Sequence, residues 1–460
     1  MRLFVNRREW LRCSGAAGLG MLSANLARAS SRNRFPGFGR AKSVLIIHTS
    51  GGMSQFETWD PKPAAAEEIR GAFGTIATSV PGIRFGEHMP RIAKLANRFT
   101  VVRSMSHDDT DHGSATYLAL TGQFHSRKSS NPLPTPNDYP TLGAVLKRVR
   151  PEKQLPHTAV HINGPVLAPR LPAAGQFGGV LGRFHEPLVL GDVTHDQDWF
   201  HGMEPRIDLP STRLDERKGL LNALDSACQR MEPNAGRDAS ARKAFELLSS
   251  ARYRRAFDLD QEPERLRERY GVHRSGQACL LGRRLVEAGM PWVTVFFNHG
   301  IRGQDWAPDD TDQYGWDTHY DIFHAMRRHL LPRFDESFST LLEDLDNRGL
   351  LDTTLVVCMG EFGRAPLVAV EKNVVGTTPG RKHWAACYSI VLAGAGIARG
   401  ATYGASDRTG AYPSENPVTP GDLVATKFAA LGIDPSGHYE DGTGRRFDIA
   451  AGKPVGGLYG

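Results

Sequence analysis

Apolar residues gather in short, nearly continuous runs along this chain: Ser43–His48 (Ser-Val-Leu-Ile-Ile-His), residues 99–103, 158–162 and 293–297, Thr354–Met359, and residues 388–392. Runs of this length without polar alternation predict strands buried on both faces, as in a parallel sheet covered by helices. Longer stretches lie between several of them, with apolar positions three to four residues apart. The clearest are residues 214–232, 239–257, 264–287 and 320–348. In the last, Ile322, Met326, Leu330, Leu331, Phe334, Phe338, Leu341, Leu342 and Leu345 draw one buried stripe, and the charged residues between them form a solvated face. Thr419-Pro420 supplies a cap and a first-turn proline for a helix over 421–431, which ends at Gly432. The alternation of strand and helix predicts an α/β fold with a mostly parallel central sheet flanked by helices.

The first thirty residues depart from this pattern. Asn6-Arg7-Arg8-Glu9-Trp10-Leu11-Arg12 is a twin-arginine pattern, followed by a weakly apolar stretch from Cys13 to Leu26 and the small-residue site Ala27-Arg28-Ala29. Residues 1–29 therefore read as a signal for twin-arginine export with cleavage after Ala29, and the product is expected in the periplasm or secreted. The export machinery is one expected partner. The segment carries five arginines and one glutamate, so its removal lowers the net charge of +6 to +2. With no run of Lys and Arg interleaved with aromatics, nucleic-acid binding has no footprint. No other apolar stretch approaches the ~20 residues needed to span a bilayer.

Residues 30–460 read as a single domain with an insertion around residues 165–260. Residues 126–140, rich in Ser, Pro and Asn, predict a surface loop; residues 165–201, rich in Gly, Pro and His, have no clear period. Cys228, Cys279, Cys358 and Cys387 lack C-x-x-C spacing, and buried free thiols are expected at Cys279 and Cys358.

Five segments rich in histidine and acid residues carry the candidate chemistry: His48-Thr-Ser-Gly-Gly, Asp111-His-Gly-Ser-Ala-Thr, Trp316-Asp-Thr-His, Gly360-Glu-Phe-Gly-Arg and Arg381-Lys-His-Trp. Three of them directly follow strand-type runs, and open α/β sheets place their sites at the carboxyl ends of strands. Imidazole and carboxylate groups drawn together from separate loops suit a cation: zinc for a mixed N and O set, and Mg, Ca or Mn for a carboxylate-rich one.

Together with the leader, Trp59-Asp-Pro-Lys-Pro, Arg103-Ser-Met-Ser, Tyr117-Leu-Ala-Leu-Thr-Gly and Ala405-Ser-Asp-Arg-Thr-Gly-Ala-Tyr-Pro, these segments resemble the exported bacterial family known as "domain of unknown function 1501" over nearly the whole chain. That family is similar to the alkaline phosphatase and sulfatase superfamily. The resemblance implies an alkaline phosphatase-like three-layer sandwich with a metal-assisted site at the sheet edge. His112 falls at the position of the superfamily nucleophile, where a histidine is a nucleophile, a metal ligand or a mark of lost chemistry. Ser114 is a nearby hydroxyl that serves the chemistry or caps the helix. Asp317, His319 and His383 resemble ligands of the first metal, although Asp317 and His319 are two residues apart where the superfamily has four. Glu361 resembles a ligand of the second metal, with Phe362 where an imidazole is expected, and His48 replaces a first-strand aspartate. Arg364 and Arg381 are candidate binders of an anionic substrate group.

The expected metal set is thus His48, Asp317, His319, Glu361 and His383, with His112 and Ser114 as catalytic candidates. Two functions follow from the resemblance. One is a metal-dependent hydrolase of phosphate or sulfate esters, acting on a small-molecule or glycan ester. The other is a catalytically degenerate binding or scaffold protein that keeps the fold.

Overall fold

The computed structural model of the protein describes residues 35–151, 157–194, 255–304, 307–371 and 378–460. Eight strands build its main sheet: β1 (Ser43–His48), β2 (Phe99–Met105), β3 (Ala159–Ile162), β4 (Leu188–Leu190), β5 (Trp292–Phe296), β6 (Thr354–Met359), β7 (Tyr388–Ala393) and β8 (Ala401–Tyr403). Their spatial order is β8-β2-β7-β6-β1-β5-β3-β4. β1 lies at the centre, parallel to β5 on one side and to β6 on the other. Only β7 runs against its neighbours, pairing antiparallel with β2 and β6. The mostly parallel α/β sheet expected from the unalternated apolar runs is therefore present. β4 and β8 escaped the sequence reading because three residues at a sheet edge leave too short a pattern.

The helices that cover the sheet are α1 (His112–Thr121), α2 (Leu142–Val149), α3 (Glu264–Tyr270), α4 (Arg274–Glu287), α5 (Leu331–Asn347) and α6 (Pro420–Ala430). Alternate side chains of β1 point to opposite layers. Leu45 and Ile47 share a core with Leu281 of α4 and with Phe338 and Leu341 of α5. Val44 and Ile46 pack with Leu142 and Val145 of α2 and with Leu423 and Phe428 of α6. Each such fully buried Leu, Ile or Phe contributes ~1.5–3 kcal/mol. β1 is thus buried on both faces, as its continuous apolar run requires.

Two helical expectations need correction. Residues 264–287 form two helices, because Gly271 takes a left-handed φ of 93° that ends α3. The His273 ring then caps α4 by accepting from the Gly276 N–H at 3.1 Å. The stretch 320–348 begins at Ile322 and passes through a wider, π-type turn at Ala325–Leu330 before α5. Pro332 follows that turn; it has no N–H for the helical ladder, and its ring crowds the carbonyl four residues back. α6 has the expected Thr419 cap, completed by Asp422 in a capping box. Residues 126–140 contain no helix or strand. Cys279, Cys358 and Cys387 are free and buried. The signal segment, residues 195–254 with Cys228, and the helical stretch 214–232 lie outside the described residues, as does most of 239–257. Among the described residues no helix is long and apolar enough to cross a membrane.

α6 carries an unusual group. Lys427 is fully buried, with its Nζ 3.9 Å from Met359 Sδ. Burial lowers its pKa from 10.5 to about 7. Between these values the unfolded chain holds a proton that the folded chain has released, so stability rises with pH across this window. Lys427→Met removes the ionisable group at similar volume. Chemical denaturation from pH 7 to pH 10 should show a rising stability for the wild type against a flatter course for the variant. Parallel curves would rule out this assignment.

The carboxyl ends of β1, β2, β5 and β6 lie at one edge of the sheet, and β7 begins there. His48, Glu361, the start of α1 and the His383 segment consequently meet at that edge.

Candidate metal centre

Gly51 and Gly52 turn the chain sharply after β1 with φ of 111° and 73°. A Cβ on Gly51 would lie 2.5 Å from the Asp317 nitrogen and 2.7 Å from the Trp316 nitrogen. Only glycine lets the 316–319 loop come this close. That loop is further fixed by the Trp316 N–H donating to Ser50 O at 3.1 Å and by the indole Nε1 donating to Asn298 Oδ1 at 2.6 Å.

Four side chains from three parts of the chain converge here: His112, Asp317, His319 and His383, whose ligand atoms all lie within 4.8 Å of one another. Asp317 Oδ1 is 3.0 Å from His319 Nε2, 3.1 Å from His112 Nε2 and 3.3 Å from His383 Nε2. His319 Nε2 and His383 Nε2 are 2.8 Å apart. Ligand atoms bonded at ~2.0–2.2 Å to a tetrahedral cation stand about 3.3–3.6 Å apart, and these four separations are at or below that spacing.

The outer atoms of the three rings decide which nitrogen faces inward. His112 Nδ1 lies 2.5 Å from Glu361 Oε1, His319 Nδ1 2.7 Å from Glu371 Oε2, and His383 Nδ1 2.7 Å from the carbonyl oxygen of Thr110. A carbonyl or carboxylate oxygen accepts, so each Nδ1 is the donor, and each ring in its neutral form turns an Nε2 lone pair to the centre. The buried His112 Nε2 has no hydrogen-bond partner despite its closeness to Asp317, as expected of an atom aimed at a ligand. Three imidazole lone pairs and one carboxylate oxygen fit a divalent cation.

Electrostatics point the same way. Burial opposes charge on His112, but Asp317 and Glu361 overcome it and raise the imidazole to about 9. Burial, aided by the charge on His112, lowers His383 to about 4, leaving that ring neutral. Burial would raise Asp317, yet the charges on His112 and Arg364 outweigh it and hold the carboxyl well below the usual range. A pocket that gathers a proton between two buried carboxylates is one in which a cation takes the proton's place.

Other expected residues stand around the cluster. Glu361 does not join it: Oε1 accepts from His112 and from the Gly51 N–H at 2.9 Å, and Oε2 is buried without a partner. His48 is likewise outside; its Nδ1 is 3.0 Å from Ser50 Oγ, and burial lowers its pKa. His112 occupies the cluster instead. Ser114 Oγ donates to Asp109 Oδ1 at 2.6 Å and accepts from the Ser130 N–H at 3.2 Å, tying the start of α1 to a neighbouring loop. Arg364, fully buried, donates to Asp317 Oδ1 at 2.8 Å, to Gly52 O at 2.9 Å, to Trp316 O at 3.1 Å, to Arg381 O at 3.2 Å and to Gly51 O. Arg381, also buried, donates to Glu57 Oε1 at 2.7 and 3.0 Å, to Ile69 O at 2.8 Å and to Pro366 O. Both guanidinium groups are thus engaged within the chain. Phe362 packs 4.8 Å from the rings of both His112 and His383 and closes the inner side of the cluster.

The sequence profile of the family described as Protein of unknown function (DUF1501) matches residues 41–458. The chain belongs to this family. No curated protein sequence matches this DUF1501 member. Solved structures similar to it include the phosphonate monoester hydrolase SpPMH from Silicibacter pomeroyi, at 13% identity and TM-score 0.41, covering 90% of this chain and 76% of that one. A sulfatase from Pseudoalteromonas sp. is 15% identical with TM-score 0.39, covering 86% and 68%. A protein in the alkaline phosphatase superfamily from Vibrio parahaemolyticus is 12% identical with TM-score 0.38, covering 89% and 74%.

Glu371 and the Thr110 carbonyl were missed in the sequence. Glu371 sits in Val-Glu-Lys, which reads as solvated surface, and a main-chain acceptor leaves no residue-type signal.

Proposed function

We propose that this DUF1501 member is an exported, metal-dependent hydrolase of phosphate or sulfate esters. The observation that carries the reading is the convergence of His112 Nε2, His319 Nε2, His383 Nε2 and Asp317 Oδ1, with each ring held from behind by an acceptor. A nitrogen-rich set of this kind suits zinc better than Mg or Ca. A cation bound there supplies a polarising charge for the ester's oxyanion and lowers the pKa of water.

The chain's own residues do the rest. Arg364 fixes the Asp317 carboxylate, while Glu361, Glu371 and Thr110 fix the three rings. Phe362 keeps water from the inner side, and the ring edges of His319 and His383, partly exposed, open the site outward. Because Ser114 is bonded to Asp109 and His112 turns its lone pair to the cluster, water is assigned as the attacking group. Its oxygen forms the new bond to phosphorus or sulfur as the bond to the alcohol oxygen breaks, and the proton leaves with the alcohol.

A second reading, a non-catalytic binding protein, is favoured by one feature: four protein ligands already complete a tetrahedral shell, as structural sites do. One experiment separates the two. The protein is exported through a twin-arginine-competent host without chelator, its N-terminus is read, its metal content is measured, and it is screened on phosphate and sulfate esters. A chain beginning at Ser30 with one bound cation and chelator-sensitive turnover is expected. Stoichiometric metal without turnover, or a metal-free folded protein, would defeat the hydrolase and leave the binding reading.

A further inference from the structure

A cleft of about 390 Å³ opens beside the cluster, with His319 and Glu371 on one side and Pro366, Leu367, Lys382 and Trp384 on the others. His319 belongs to both cleft and cluster, so a group held at the cluster has the cleft as its neighbour. The cleft's volume lies in the range of small-molecule sites.

Its walls are apolar for a reason visible in the backbone. Ala369 and Gly380 exchange both N–H···O bonds at 3.0 Å, and the Ala365 N–H donates to Lys382 O at 2.8 Å. These bonds satisfy the wall's main-chain groups. The Trp384 indole donates to Ala411 O at 2.6 Å, which fixes the plane of the ring, and Tyr412 packs edge-on with its centroid 5.8 Å away. Three of the eight exposed large hydrophobic residues among the described residues, Leu367, Val370 and Tyr412, lie on the segments that border this cleft. Such a concentration marks a binding surface. Among the described residues that line the cleft the one lysine or arginine is Lys382, and its Nζ lies 3.7 Å from Glu371 Oε1, so its charge is opposed.

We propose that this cleft is the subsite for the alcohol part of the ester, and that it selects an uncharged alcohol with a flat, apolar ring face. The inference rests on the hydrolase reading for its orientation: the ester's anionic group lies at the cluster and the ring lies against Trp384 and Leu367. An aryl ring and the CH face of a pyranose share this chemistry, and the test distinguishes them.

The test uses the full, metal-loaded, exported protein in two arms. In the first, phenol, a methyl glycoside and glycerol are titrated without any ester group, and Trp fluorescence is followed. Saturable quenching by phenol or by the glycoside, but not by glycerol, is expected, and which one binds identifies the ring class. In the second, kcat/KM is compared for phenyl, glycosyl and ethyl esters of phosphate and sulfate. A preference for one ring class over ethyl by at least about tenfold is expected. Trp384→Ala and, at the exposed rim where folding is not at risk, Leu367→Ser should shrink that preference with metal content unchanged. Hydrolysis at equal rates for ring and ethyl esters would overturn the subsite and leave the hydrolase standing. Ring binding without hydrolysis of any ester would overturn the hydrolase reading and keep the cleft, while absence of both defeats the two together.

Discussion

Asp317→Asn removes the bound cation while the fold persists. Asparagine keeps the size of the side chain and an oxygen in nearly the same place, so the loop that follows Trp316 has no steric reason to move. What disappears is the negative charge to which three Nε2 atoms lie within 3.3 Å. The remaining set is three neutral imidazoles with the Arg364 guanidinium 2.8 Å from the substituted group, and a cation placed there meets repulsion where it formerly met a carboxylate. Elemental analysis of protein purified without chelator should show metal falling from one per chain to below about a tenth, a loss of more than tenfold in occupancy. His383→Ala should do the same by removing one ligand. Glu371→Gln is milder, because it weakens the orientation of His319 without removing a ligand, and a loss of about 10- to 100-fold in affinity is expected. Unchanged metal content in both Asp317→Asn and His383→Ala, with circular dichroism matching the wild type, would sink the assignment of this cluster.

The parts of the molecule that could be read from the sequence are those whose signal is local. Ser43–His48 and Thr354–Met359 are strands at the expected bounds, since six buried residues in succession leave one interpretation. Asp317, His319 and His383 were legible because their residue types and their places in loops announce ligands. The sorting of His112 into the cluster, with His48 and Glu361 outside it, was not legible. It depends on which way the side chains at the ends of β1, β6 and α1 turn, and that follows from packing between segments hundreds of residues apart. Phe362 illustrates the point: as a residue type it signals a lost ligand, whereas in the structure its ring is the wall against which His112 and His383 rest. Arg364 and Arg381 show the converse. A guanidinium in a polar loop reads as an anion binder, and burial inside the chain became visible only with the carbonyls of Gly51, Gly52, Trp316 and Pro366 gathered around them.

Arg364→Met tests that structural role and carries the largest expected effect on stability. The guanidinium is fully buried and joins four carbonyl oxygens and Asp317, drawn from the loops at 51–52, 316–317 and 381. Methionine fills much of the volume but donates nothing, so the carbonyls lose their partners and Asp317 loses its compensating charge. Breaking a buried pair in this way costs about 3–5 kcal/mol, which in a domain of this size lowers the melting temperature by roughly 3–6 °C. Arg364→Lys restores a positive charge but not the planar fork that reaches several oxygens at once, and should recover only part of the loss. The cost should also depend on the metal. With chelator present, Asp317 faces the variant's apolar side chain with only His112 to balance it. With a cation bound, its charge is neutralised from the other side, so the loss caused by Arg364→Met should be smaller in the loaded protein than in the stripped one. Calorimetric melts of wild type and variant, each with and without chelator, measure this difference directly. Equal losses in the two states would show that Arg364 supports the loop carbonyls alone, and an unchanged melting temperature would remove it from the site's framework altogether.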